Sequence, residues 1–158
     1  FLIGKTLGHM TQSIYEKEIL DVERGIPPQI NFEEEIKNGL FIRKLIEKNL
    51  LEGCHDVSDG GLIVCLSEMI ISSNIGMNIK IPKTTLSAAE WLFSEDQSRY
   101  VIVAKNKEEI KYLALTEDVF INELGVAGGI KFRIENYLDV AIKDLIDNNN
   151  KWFYDYLS

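Results

Sequence analysis

Between Cys54 and Leu62 the chain reads Cys-His-Asp-Val-Ser-Asp-Gly-Gly-Leu, the densest collection of groups able to do chemistry in the sequence. Two carboxylates, Asp56 and Asp59, and the Ser58 hydroxyl stand just ahead of the adjacent glycines Gly60 and Gly61. A strand that turns on such a pair into a helix leaves backbone N–H groups without intrahelical partners, and the missing side chains let another group come close. Such a corner can hold an anion. The two carboxylates would repel a bare phosphate, so a phosphate ligand here calls for a divalent cation such as Mg²⁺ between them. The competing reading is structural: Ser58 or Asp59 caps the helix while the glycines serve close packing.

A second polar constellation is Ser94-Glu95-Asp96-Gln97-Ser98-Arg99, set between apolar Leu92-Phe93 and apolar Tyr100 to Val103. It presents carboxylates, an amide and a guanidinium together, which suits the rim of a site for a phosphate-bearing ligand. The alternative is an internal Glu95–Arg99 or Asp96–Arg99 pair that closes the turn. Other pairings fail on geometry. Cys54 and His55 are neighbours in a strand, so their side chains face opposite ways and form no thiolate–imidazolium couple. Cys54 and Cys65 read as small buried hydrophobes, and His55 as a structural donor into the glycine turn. A zinc site needs more soft ligands than these positions offer. Glu33, Glu34 and Glu35 read as the solvated start of a helix and not as a metal site.

The elements that must position these groups follow from apolar spacing and stop signals. Phe1 to Lys5 reads as a strand, and Thr11 to Val22 as a helix ended by Gly25 and Pro27-Pro28. Phe32 to Leu51 is the longest predicted helix, N-capped by Asn31, with Gly39 marking a close crossing or a bend and Gly53 closing its end. Cys54 to Val57 is then a short strand. After the glycine corner, Leu62, Cys65, Leu66, Met69 and Ile70 fall on one helical stripe. Met77 to Ile81 alternates as a strand and stops at Pro82; a short helix covers Ser87 to Leu92. Tyr100 to Val103 is apolar on both faces, as a central strand is. Lys107 to Leu115 is helical, and Val119 to Leu124 and Ile130 to Ile134 are strands around turns at Gly125 and Gly128-Gly129. Val140 to Leu157 is a final helix interrupted near Asn148-Asn149-Asn150. Tyr15, Trp91, Trp152, Phe153 and Tyr156 read as core and end-packing groups. The order predicts an α/β (α+β) fold, a mixed β-sheet flanked by helices.

Composition bounds the rest. The 158 residues are 46% hydrophobic, enough for one domain with a real core, and no linker divides them. A net charge of -8 with no cluster of Lys or Arg argues against a nucleic-acid partner. No apolar run approaches the roughly 20 residues that span a bilayer, so no membrane role is expected. The two cysteines form neither a C-x-x-C pair nor a disulfide framework, which fits a reducing cytoplasmic home. Phe1 in place of an initiating Met suggests a fragment or processed product.

Several of these motifs also resemble one family. His55-Asp56-Val57-Ser58-Asp59-Gly60-Gly61-Leu62 with Ser67-Glu68-Met69 is similar to the C-terminal half of phosphoribosylformylglycinamidine synthase, or FGAM synthase. Leu7-Gly8 with Ser13-Ile14-Tyr15 resembles the family's Leu-Gly-Gly-Ser-Glu-Tyr segment, and Gly25-Ile26-Pro27-Pro28 its Gly-x-Pro-Pro connector. Leu92-Phe93-Ser94-Glu95-Asp96-Gln97-Ser98-Arg99 resembles its Leu-Phe-Gly-Glu-Ser-Gln-x-Arg segment. The matches fall in order along nearly the whole chain. Two departures stand out: His9-Met10-Thr11-Gln12 follows Leu7-Gly8 where a second glycine is expected, and Asp96 replaces the usual serine.

The resemblance implies a single C-terminal domain of the aminoimidazole ribonucleotide (AIR) synthase-related type, residues 1–158, belonging to a longer enzyme. That enzyme would use ATP and Mg²⁺ to activate an amide oxygen as an iminophosphate, from which glutamine-derived ammonia then displaces phosphate to give an amidine. Its catalytic residues would lie upstream, in the other domains of the same polypeptide. The short form would draw on a separate glutaminase subunit and a small accessory subunit. In this piece the ligand-proximal candidates are Asp56, Ser58, Asp59, Gly60, Gly61, Glu95, Asp96, Gln97 and Arg99, and the domain alone is expected to hold no nucleotide tightly. Two alternatives remain open at this stage. One is a domain of another enzyme of this superfamily: AIR synthase, selenophosphate synthetase or thiamine-monophosphate kinase. The other is a stand-alone binding or assembly module.

Overall fold

The computed structural model describes residues 1–157. In chain order the elements are β1 (Leu2–Ile3), α1 (Ile14–Glu18), α2 (Phe32–Glu47), β2 (Leu51–Asp56), α3 (Gly61–Ser73), β3 (Met77–Ile79), α4 (Ala88–Phe93), β4 (Tyr100–Ala104), α5 (Lys107–Thr116), β5 (Ile121–Asn122), β6 (Gly125–Ala127), β7 (Lys131–Ile134), β8 (Leu138–Ala141) and α6 (Ile142–Leu157). The fold is the mixed α+β type expected. Its strands form two sheets, one in each of two compact units: Phe1–Cys65 with Pro82–Glu123, and Leu66–Ile81 with 124–157.

The first unit is built on an antiparallel sheet in the order β2-β4-β1-β5. Tyr100 to Val103 lies in its second strand, paired on both sides as a doubly apolar run should be. Ile3 of β1 and Ile102 of β4 join Phe41, Ile42 and Leu45 of α2, Ile110 and Ala114 of α5, and Val119 in one buried cluster. Each large aliphatic or aromatic side chain buried this way contributes roughly 1.5–3 kcal/mol. The α2 register follows from its cap. The Asn31 side chain accepts from the N–H groups of Glu33 (3.1 Å) and Glu34 (3.2 Å), with acidic residues in the first turn against the helix dipole. Asn31→Ala is expected to cost about 1 kcal/mol, seen as a thermal midpoint lower by roughly 2–4 °C.

Several boundaries differ from the sequence expectation. α2 ends at Glu47, where Asn49 takes a left-handed φ of 54° and reverses the chain. Gly53 therefore ends no helix; it lies inside β2, at a register shift where the ladder skips Glu52. Among the described residues Gly39 marks no close crossing, because a Cβ there would meet only the Tyr100 hydroxyl at 3.8 Å. α1 is far shorter than Thr11 to Val22, since Gln12 (φ 63°) and Asp21 (φ 52°) adopt left-handed backbone at its two ends. Cys54 is exposed and not a buried hydrophobe, because alternate residues of β2 face outward. Cys65, by contrast, is buried with Leu62, Leu66, Met69 and Ile70, the stripe that the spacing predicts.

The second unit holds the mixed sheet, order β6-β3-β7-β8, in which only β3 and β7 run parallel among the described strands. Register sets Met77 beside Phe132 and Ile79 beside Ile134, and all four are buried on one face. Gly125 is part of β6 and not a turn, and β8 occupies residues taken in part for the final helix. α6 runs without a break through Asn148-Asn149-Asn150, the Asn148 amide donating to the Asp144 carbonyl at 2.9 Å. Its Trp152 and Tyr156 rings stack at 5.5 Å yet stay exposed, so they pack on each other and not in a core. The Phe153 side chain, expected as an end-packing group, lies outside the described residues. Among the described residues no helix is long and apolar enough to cross a membrane.

Candidate functional site

Both polar constellations meet in the first unit, and hydrogen bonds tie them together. β2 delivers Asp56 to the end of its strand, and Val57 N–H donates to the Arg99 carbonyl at 2.9 Å, carrying the ladder one residue further. The backbone then turns on Gly60 (φ 78°) and Gly61 (φ 72°), conformations that side-chain-bearing residues rarely adopt. A Cβ on Gly61 would stand 2.6 Å from the Ser94 carbonyl oxygen and 2.9 Å from that of Leu92. The glycine pair is a close-approach turn between strand and helix, with the Leu92 to Ser94 backbone as the approaching group.

The anion that this corner holds is the chain's own. Glu95 Oε1 accepts from Gly60 N–H and from Ile14 N–H, each at 2.8 Å, so a carboxylate sits where a ligand anion would. Gly61 N–H is spent on the Ser58 carbonyl at 3.0 Å. Asp96, buried at the next position, gathers another set: Oδ2 accepts from Leu7 N–H (2.8 Å) and Gly8 N–H (3.0 Å), and Oδ1 from His9 N–H (3.3 Å). Arg99 is equally buried. Its guanidinium donates to the Ser94 carbonyl (2.6 Å), the Asp96 carbonyl (3.0 Å) and Thr6 Oγ1 (3.2 Å). Arg99 therefore closes the turn through main-chain carbonyls; the side-chain pair with Glu95 or Asp96 that the sequence suggested is not its hydrogen-bonded contact. Burial pulls the guanidinium below its usual pKa, opposed by the negative potential of Asp96 and then by Cys65 and Glu95.

Two concave surfaces border this frame. One, about 370 Å³, is lined by Asp56, Ser58, Asp59, Glu95, Gln97 and Arg99 together with Glu35 and Tyr100. The other, about 660 Å³, lies against Asp96, Gln97 and the Leu7-Gly8-His9 loop. Pro27, Pro28, Gln97 and Ser98 line both. The structure thus brings the sequence-derived candidates into one region. Asp56, Ser58, Asp59 and Gln97 are exposed, whereas Gly60, Gly61, Asp96 and Arg99 are buried. His55 Nδ1 lies 2.7 Å from the Asp56 carbonyl.

Glu35 was missed as part of this site. Instead of standing free at a helix start, it accepts from Ser98 Oγ (2.6 Å) and from the Tyr100 hydroxyl (3.2 Å). Desolvation, and then Glu35, push the Tyr100 phenol above its usual pKa. Spacing carried the signal: Glu35 lies three residues before Asn38 and seven before Ile42, both buried. The His9 to Gln12 stretch closes without a second glycine. Its backbone is held by Asp96, and His9 Nε2 lies 2.9 Å from the Ile26 carbonyl. Among the described residues no group of at least three His, Cys, Asp or Glu side chains is placed to hold a metal ion. Asp56 and Asp59 still supply the hard oxygen donors that Mg²⁺ prefers, and Mg²⁺ commonly takes only one or two carboxylates beside the phosphates it bridges.

Comparison with known proteins agrees with this architecture. Residues 3–132 match the family described as AIR synthase related protein, C-terminal domain. The chain is 36% identical to phosphoribosylformylglycinamidine synthase subunit PurL of Bartonella quintana, over 99% of this chain and 22% of that protein. It is 39% identical to the Pelagibacter ubique protein of the same name, again over 99% and 22%. The chain therefore spans about a fifth of the length of the curated relatives it matches. Among solved structures, PurLQS from Thermotoga maritima superposes with a TM-score of 0.64 at 20% identity, covering 92% of this chain and 25% of that one. T. maritima PurL complexed with ATP gives 0.60 at 20% identity, over 70% and 21%. At that identity the likeness shows a shared fold. With the strand, glycine turn and helix in place and the family matched over most of its length, the chain belongs to the AIR synthase related protein, C-terminal domain family.

Proposed function

We propose that residues 1–158 are a single C-terminal domain of a longer cytoplasmic enzyme, a phosphoribosylformylglycinamidine synthase of the purine pathway. The whole polypeptide would convert formylglycinamide ribonucleotide to its amidine with ATP, Mg²⁺ and ammonia from glutamine. Its partners would be a separate glutaminase subunit and a small accessory subunit. The observation that carries this reading is identity of 36–39% over 99% of the chain to relatives bearing that name.

Within that enzyme the division of labour follows from burial. Asp56, Ser58 and Asp59, exposed beside the smaller cleft, are the groups able to reach a ligand, and Gln97 offers its amide at the shared rim. Mg²⁺ held by Asp56 or Asp59 would offset the charge of a nucleotide's phosphates. Glu95, Asp96 and Arg99 position the backbone that carries these groups. Gly60 and Gly61 shape the turn. The domain by itself has little to attract a phosphate: its net charge is -8, and the Gly60 N–H already serves Glu95. Calorimetry on the domain alone is expected to show no micromolar ATP or ADP binding.

The test is an assay of the full polypeptide with purified glutaminase and accessory subunits. ADP and phosphate are expected only when formylglycinamide ribonucleotide and an ammonia source are both supplied. ATP turnover independent of that substrate, or none at all, would sink the assignment.

A further inference from the structure

Residues 21–30 join α1 to α2 without adding to a core, since every one of them is exposed or half-buried. A segment with so few buried apolar groups belongs to the low-stability end of a fold. Polar ties to residues 9–16 hold it. The Ile26 carbonyl accepts from Thr11 Oγ1 at 2.8 Å and lies 2.9 Å from His9 Nε2. A carbonyl can only accept, so Nε2 carries its hydrogen here. The Gln12 amide donates to the Arg24 carbonyl at 3.2 Å, and Val22 N–H to the Glu16 carbonyl at 3.0 Å. Gly25, at φ 73°, rests so close to Thr11 that an added Cβ would stand 2.8 Å from the threonine Cβ.

The remaining tie is an ion pair that leaves one atom unmatched. Arg24 Nε (3.2 Å) and Nη2 (3.0 Å) both donate to Glu16 Oε1, whereas Glu16 Oε2 is buried with no hydrogen-bond partner among the described residues. The Glu16 side chain is 2% exposed and that of Arg24 66%. Burying a carboxylate with one oxygen unsatisfied is unfavourable, so the closed arrangement is opposed by the same residue that secures it. Pro27 and Pro28, carried on this segment, wall both the 370 Å³ and the 660 Å³ clefts.

We propose that residues 22–28 are a lid, latched by Glu16 on Arg24, which opens locally and joins the two clefts into one groove. Opening lets water reach Glu16 Oε2, which offsets part of the bonding given up. Asp21 (φ 52°) and Gly25 are the positions suited to absorb the change in backbone. The lid stands whatever reaction the enzyme performs, because every contact in it lies within the first unit.

Trypsin reports the opening, since cleavage after Arg24 requires that side chain in the protease pocket and therefore off Glu16. The native full polypeptide is digested, and the peptide ending at Arg24 is followed by mass spectrometry. Cleavage is expected at a rate that rises by less than about fivefold between zero and about 1 M urea, because a local opening exposes little surface. Unfolding of the whole domain would raise it by about fivefold or more. That steeper rise, or no cleavage of the folded protein, overturns the lid. Glu16→Gln keeps the shape of the side chain and removes its charge. It is expected to speed cleavage after Arg24 by about threefold or more, with the urea dependence still shallow. A smaller acceleration, or a steep urea dependence in the variant, removes the latch and the proposal with it. Thr11→Val deletes one donor to the Ile26 carbonyl and is expected to act in the same direction; unchanged or slower cleavage counts against the lid.

Discussion

Gly61→Val is expected to destabilise the first unit by roughly 3–5 kcal/mol, the sum of left-handed backbone strain in a β-branched residue and overpacking against immovable groups. The new side chain would meet the backbone of Leu92, Phe93 and Ser94, and a main chain anchored by the Arg99 guanidinium cannot yield as a flexible side chain can. A fall in the thermal midpoint of roughly 10 °C follows for a domain of this size. Gly60→Val should cost less, because the atoms in its way belong to the Val64 side chain. Asp56→Ala, at an exposed position, should change stability by no more than about 0.5 kcal/mol. Comparison of the three melting curves checks the order. A Gly61→Val protein melting within about 2 °C of the parent would rule out the close-packed corner.

Arg99→Met is the second large effect, expected at roughly 3 kcal/mol. Methionine fills much of the same space but leaves the Ser94 and Asp96 carbonyls, both in buried residues, without their donors, and each such loss costs about 1–3 kcal/mol. The consequence reaches beyond stability, since the Asp96 carboxylate stands on this turn and grips the N–H groups of Leu7, Gly8 and His9. Hydrogen exchange at those amides should accelerate by about tenfold or more as the loop opens locally. Gln97→Ala is the control, for its amide is exposed and bonds only to the nearby Glu95 carbonyl at 3.3 Å. Unchanged exchange at Leu7 to His9 in the Arg99 variant would show that the turn does not hold the loop.

Glu95 and Asp96 explain why the role of the turn was harder to read than its location. Six polar residues between apolar flanks are visible as a turn in the sequence, and a ligand rim and an internal clamp leave the same trace there. Which of the two a carboxylate serves depends on whether N–H donors from distant segments arrive beside it. Ile14 N–H meets Glu95 across 81 positions and Leu7 N–H meets Asp96 across 89, separations at which local pattern says nothing about contact.

What the sequence determined unaided is whatever arises from short-range sterics and spacing. The α2 start at Asn31, the buried stripe of α3 and the strand–glycine–helix corner at Asp56 to Leu62 depend on capping, periodicity and permitted φ, all properties of neighbouring residues. Tertiary structure alone decided the rest. It made β8 a strand by pairing it with β7, set Gly53 inside β2 beside a register shift, and left Trp152 and Tyr156 stacked on the surface. It also spent the corner's Gly60 N–H on the carboxylate of Glu95. Each of those outcomes turns on which remote group supplies a hydrogen-bond partner or covers an apolar side chain, and that competition is settled only when the segments pack.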